Sequence, residues 1–64
     1  MEVSLDQAIE IYAKAMKHWS GRHAPRKARE KAEQLAREGD HEGHRVWIRV
    51  GEVAEALIQE AEKA

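Results

Sequence analysis

The sequence predicts an all-α protein, a small three-helix up-down-up bundle with helices at about 5–19, 25–38 and 41–62. Three observations carry this. Ala, Glu, Lys, Arg and Gln dominate the 64 residues, while Phe and Cys are absent and there is a single Pro. Apolar residues recur at helical spacing in the first and last thirds of the chain. Gly-containing breaks at Ser20-Gly21 and Gly39-Asp40 divide it into three.

Helix 1 opens on a capping box, Ser4 with Gln7, flanked by Val3 and Ala8 at the spacing of a hydrophobic staple. Leu5, Ile9, Tyr12, Met16 and Trp19 then alternate at four and three, the spacing of an a/d seam. Gly21 suits the left-handed position just past the helix end.

Helix 2 is announced by Pro25, tolerated in a first turn where its missing N–H would have no partner. Its inner face is Ala24, Ala28, Ala32, Leu35 and Ala36, small side chains that let the backbone lie close to a neighbour. Gly39 stops it and Asp40 caps helix 3, a connection short enough to make helices 2 and 3 antiparallel neighbours.

Helix 3 is the organising element. Stepping 100° per residue, Val46, Trp47, Val50, Val53, Ala54, Leu57, Ile58 and Ala61 fall within an arc of roughly 140°. The run Val46 to Val50 has strand-like content, but the chain holds no second strand to pair with it. Trp19 and Trp47, both on apolar stripes, are expected in the core near one another or near the bundle ends. Gly51 inside helix 3 costs about 1 kcal/mol relative to Ala and implies close approach of another helix.

The chain reads as one domain over residues 1–64, near the lower size limit for a core without disulfide or metal. The absence of cysteine fits a reducing cytoplasm. The acidic start, with Glu2, Asp6 and Glu10, is unlike a signal peptide, and no segment is apolar enough to span a membrane. A cytoplasmic location with no membrane partner is expected.

Named residues bear on four function classes. For catalysis, Ser4 is explained as a cap, no Ser-His-Asp set or activated Cys exists, and the core is too small to enclose a substrate pocket, so no enzyme and no small-molecule substrate is expected. For metal or cofactor, His41 and His44 form an i,i+3 pair near Asp40 and Glu42. The other pair, His18 and His23, lies roughly 20 Å away along a helix, so the expected reading is solvated side chains and no cofactor.

For anions or nucleic acid, seven Lys or Arg stand against Glu30 alone between Lys14 and Lys31. Arg22, His23, Arg26, Lys27 and Arg29 crowd the start of helix 2, where a helix end attracts anions and repels cations. The competing reading is internal. Helix 1 runs from acidic to basic and helix 3 from basic (Arg45, Arg49) to acidic (Glu52, Glu55, Glu60, Glu62), so the two complement one another side by side, and the acidic end of helix 3 meets the basic corner.

For protein partners, Ile11 and Ile48 lie off the main apolar faces. With Gly51 they point to a homodimer that buries Ile48, Gly51 or Ile11, against the alternative of scattered exposed apolar residues. A non-enzymatic, self-associating interaction module is the expected function. A small nucleic-acid-binding regulator using the basic corner is the alternative.

The stretch Gly39-Asp40-His41-Glu42-Gly43-His44-Arg45-Val46-Trp47 resembles a signature of small bacterial helical proteins: an Ala-rich helix, Gly-Asp-x-x-Gly-x-x-x-Trp, then an amphipathic helix. The resemblance covers roughly residues 24–58. It implies a helical hairpin turning at Asp40 and no activity or site residue.

Overall fold

A computed structural model describes residues 3–63. The chain is all-α, with no strand among the described residues. Helix α1 spans Leu5–Ser20, a single 3-10 turn follows at Gly21–His23, α2 spans Ala24–Arg37 and α3 spans His41–Lys63. The expected separation into three helices holds only in outline. The 3-10 turn joins α1 to α2 without a loop, so the described chain contains two uninterrupted helical stretches, residues 5–37 and 41–63.

Local chemistry accounts for the ends. Ser4 Oγ accepts the Gln7 N–H at 3.1 Å, and Gln7 Oε1 accepts the Ser4 N–H at 3.0 Å, a complete capping box. Val3 and Ala8 both stay exposed, so the expected staple buries little. At the far end of α2 the Gly39 N–H donates to Ala36 O and the Asp40 N–H to Leu35 O, at 3.1 and 2.8 Å. This is a Schellman closure, with Gly39 at φ 85°, a conformation that Gly adopts freely.

Asp40 then caps α3, its Oδ1 accepting the Gly43 N–H at 2.9 Å. A Cβ at Gly43 would lie 2.5 Å from Asp40 Oδ2. The Gly-Asp-x-x-Gly pattern therefore has a local cause: one Gly to stop a helix, an acid to start the next, and a second Gly to leave room for that carboxylate.

α3 is the floor on which both other helices lie. Residues from the first half of α1 (Leu5, Ile9, Tyr12) meet Val46, Trp47 and Val50, whereas Lys14, Lys17 and His18 lie beside Leu57, so α1 runs parallel to α3. α2 runs antiparallel: Pro25 approaches Gly51, and His44 Nδ1 lies 2.9 Å from Ala32 O.

The fully buried set is Ile9, Ala13, Ala24, Ala28, Ala32, Val50 and Ala54, with Gly51 buried among them. Five of these seven apolar residues are alanines, so the interior works by close backbone approach rather than by large side chains. At Gly51 a Cβ would stand 3.4 Å from both Ala28 Cβ and Pro25 O. The helix that approaches Gly51 is thus α2 of the same chain, whereas the sequence reading placed Gly51 at a contact between two copies.

Helix 1 does not bury the seam expected for it. Ile9 and Ala13 are buried and Met16 is partly buried against the core, whereas Leu5 is 62% exposed, Tyr12 49% and Trp19 76%. Trp19 is therefore not a core residue and does not pair with Trp47. The aromatic contact made instead is Tyr12 with Trp47, edge to face at a centroid distance of 4.9 Å and an interplanar angle of 80°. The physical reason lies in Ala13. A helix lying on the Ile9–Ala13–Met16 face comes closer to α3 than one standing on Tyr12 and Trp19, and the close arrangement excludes the bulkier stripe.

Candidate functional site

The basic corner forms around the 3-10 turn. Because Gly21–His23 leads directly into α2, the Ala24 N–H already donates to Gly21 O, and Pro25 has no N–H to offer. The helix start expected to attract an anion is thereby partly closed. Arg22, Arg26 and Arg29 line one open cleft together with Glu55 and Glu62 of α3. Arg22 Nη2 lies 3.1 Å from Glu62 Oε1. Arg26 donates toward His23 Nδ1 at 3.3 Å and stands 3.9 Å from Glu30. Lys27 lies apart, beside Glu30, Lys31 and Glu33 on another face.

Thus the structure gathers Arg22, His23, Arg26 and Arg29 and separates Lys27 from them. The acidic end of α3 does meet the basic start of α2, at Arg22–Glu62. The side-by-side complement expected between helices 1 and 3 forms no ion pair among the described residues. The charge contact made within α1 is Lys14 with Glu10, at 3.5 Å and exposed. Pairs as open as these contribute ~0–1 kcal/mol each, so the corner is a charged surface more than a structural lock.

Of the pair His41 and His44, the second has one ring nitrogen engaged within the fold. The His44 ring is bound to the Ala32 carbonyl and the Asp40 carboxylate to the Gly43 N–H, so both are occupied in holding the α2–α3 hairpin. Among the described residues, no three His, Cys, Asp or Glu side chains are grouped as a metal would need.

The more distinctive surface is apolar. Leu5, Ala8, Ile9 and Tyr12 of α1 and Val46, Trp47 and Val50 of α3 line a groove of about 160 Å³. Trp19 extends the same side of α1 toward its C-terminus, and Ile11, 61% exposed, lies beside it. Ile48 is elsewhere, 37% exposed and next to Pro25, Arg29 and Gly51 in a small cavity of about 90 Å³ between α2 and α3. Of the three residues proposed from sequence for self-association, Ile11 remains widely exposed, Ile48 is partly covered and Gly51 is buried.

Leu5, Tyr12 and Trp19 were missed as surface residues because their spacing read as core. One signal could have exposed them. Helix 1 carries two interleaved apolar stripes, Ile9–Ala13–Met16 and Leu5–Ala8–Tyr12–Ala15–Trp19. Together they are too wide for one neighbouring helix to cover.

No known protein family, curated protein or solved structure matches this chain.

Proposed function

We propose that this chain is a non-enzymatic helical interaction module, a three-helix up-down-up unit of the bacterial cytoplasm that works by self-association. The observation that carries the reading is an inversion of burial. Five alanines make up most of the core while Leu5, Ile11, Tyr12 and Trp19 face solvent. A soluble monomer rarely leaves so much contiguous apolar surface uncovered, and a chain of this size gains little stability from an alanine core alone.

The absence of an active centre is part of the same proposal. No polar or charged side chain among the described residues is buried, whereas electrostatic catalysis relies on groups held out of water. The resemblance carried by the Gly39 to Trp47 signature supports a hairpin scaffold shared with small bacterial helical proteins.

Sedimentation equilibrium across micromolar concentrations tests the reading. A mass of twice the 7.3 kDa chain is expected, and a chain that stays monomeric up to millimolar concentration overturns it. The competing nucleic-acid reading has Arg29 and Lys27 in its favour, which make no ion pair among the described residues, while Arg22 faces Glu62 and Arg26 faces Glu30. It requires oligonucleotide binding that weakens steeply with salt and is abolished by Arg26→Glu with Lys27→Glu.

A further inference from the structure

We propose that a second copy of this chain docks on the exposed stripe of α1, antiparallel, so that two α1 helices form a short two-stranded seam. The proposal rests on the self-association reading above and specifies its surface and geometry.

Leu5, Ala8, Tyr12, Ala15 and Trp19 follow one another at spacings of three, four, three and four, the a/d pattern of a coiled coil. Leu5, Tyr12 and Trp19 are seven residues apart and drift only ~20° per step around the helix, and all three are exposed. Inside the chain the first half of this seam only borders α3, across the groove that Leu5, Ala8 and Tyr12 share with Val46, Trp47 and Val50, and leaves its outer side open. Tyr12 touches the edge of Trp47, and the buried face of α1 is the neighbouring stripe of Ile9, Ala13 and Met16.

The size pattern selects the partner and its direction. Every a position is large (Leu5, Tyr12, Trp19) and every d position is Ala (Ala8, Ala15). Parallel helices in register would set a on a and d on d, crowding Trp19 against its own copy and leaving a gap at each Ala layer. Both errors cost packing energy. Antiparallel helices set a on d, so Tyr12 lies over the partner's Ala15 and Trp19 over the partner's Ala8. Large then meets small at the Tyr12 and Trp19 layers, while Leu5 falls opposite the 3-10 turn beyond the partner's helix, and a second copy supplies this complement without any other partner.

Charge agrees. α1 is acidic in its first half (Asp6, Glu10) and basic in its second (Lys14, Lys17, His18). Antiparallel pairing brings opposite halves together, whereas parallel pairing brings like charges together. These residues lie beside and behind the seam, so they bias direction through their field rather than as buried pairs. The exposed parts of Leu5, Ile11, Tyr12 and Trp19 offer on the order of 500 Å² of surface per copy, a large share of the ~800 Å² per partner in a standard interface. The two-fold arrangement closes on itself and leaves no open edge.

The test uses the full chain. Trp19→Glu and Ala8→Glu, both at exposed positions, are each expected to raise the dimer Kd at least ~30-fold. Ile48→Gln, on the far side, is expected to leave it within ~3-fold. A dimer that survives both seam substitutions and dissociates with Ile48→Gln overturns this surface while leaving self-association standing. A wild-type chain that is monomeric throughout overturns both.

Direction is read separately in the otherwise wild-type sequence, which has no cysteine. A nitroxide on Val3→Cys is expected to give an inter-label distance of about 30 Å or more in the antiparallel dimer. A distance under ~20 Å signals parallel pairing and overturns the proposal. Should Trp19→Glu lose its helical circular dichroism as well, the Val3 distance still decides.

Discussion

The α2–α3 hairpin and helix α1 solve the same problem with opposite materials. In the hairpin, Ala24 and Ala28 pack with Val50, Gly51 and Ala54, and Ala32 is buried nearer the turn beside His44. Small residues let two backbones approach until almost nothing between them touches water. The connection is fixed by a Schellman closure, the Asp40 cap and the His44 contact to Ala32. α1 carries larger residues, yet it sends only Ile9, Ala13 and Met16 inward and leaves Leu5, Tyr12 and Trp19 outside. Apolar content is therefore a poor guide to burial in this chain. Fit to the α3 surface decides it, and the residues too large to fit remain available for contact with another molecule.

The sharpest way to break the contrast is to add volume where the hairpin has none. Gly51→Leu drives a side chain into Ala28 and Pro25 and is expected to destabilise the fold by ~2–3 kcal/mol, measured by urea unfolding. A loss below ~0.5 kcal/mol would mean that the two helices are not closely packed. Val50→Ala removes the largest fully buried side chain and is expected to cost ~1.5–2.5 kcal/mol in the same assay. That single change should exceed the effect of any substitution on the exposed stripe of α1 in the monomer.

At the hairpin turn, Asp40→Ala removes the α3 cap and should lower stability by ~1 kcal/mol. The contrast sharpens at Trp19. Under conditions where the chain is monomeric, Trp19→Ser should alter thermal stability by no more than ~0.5 kcal/mol, a small change for the loss of a tryptophan. A loss of 3 kcal/mol or more would place Trp19 in a core and remove the distinction between the two regions. The smallest effect is expected at the charged corner, where Glu62→Gln should shift stability by under ~0.5 kcal/mol, less at high salt.

Much of the hairpin was legible beforehand because its signals are local. Ser4 with Gln7, Pro25, Gly39 and Asp40 act within four residues of themselves, and the helix ends they imply fall within a residue or two of those observed. The Ala face of helix 2 was equally legible, since a helix with only alanines and one Leu on its inner side has a single way to lie. The candidate interaction surface was not. Ile11 is exposed as expected, but Leu5, Tyr12 and Trp19, expected in the core, lie largely outside it, and Gly51 is buried against α2 of its own chain. Each depends on what stands opposite, and helical periodicity reports spacing without reporting the neighbour.

From the sequence alone came the helical class, the stop at Gly39, the cap at Asp40 and the need for a close neighbour at Gly51, whereas the stop expected at Gly21 became a 3-10 turn that runs on into α2. These follow from backbone geometry and from hydrogen bonds between residues a few positions apart. Only the tertiary structure decided that the neighbour at Gly51 is α2, that the first turn of α2 is entered through a 3-10 turn, and which of two apolar stripes on α1 faces inward. The stripes differ in the direction of their side chains by less than a quarter turn. The choice between them went to the one whose Ala13 allows α1 to settle closest onto α3.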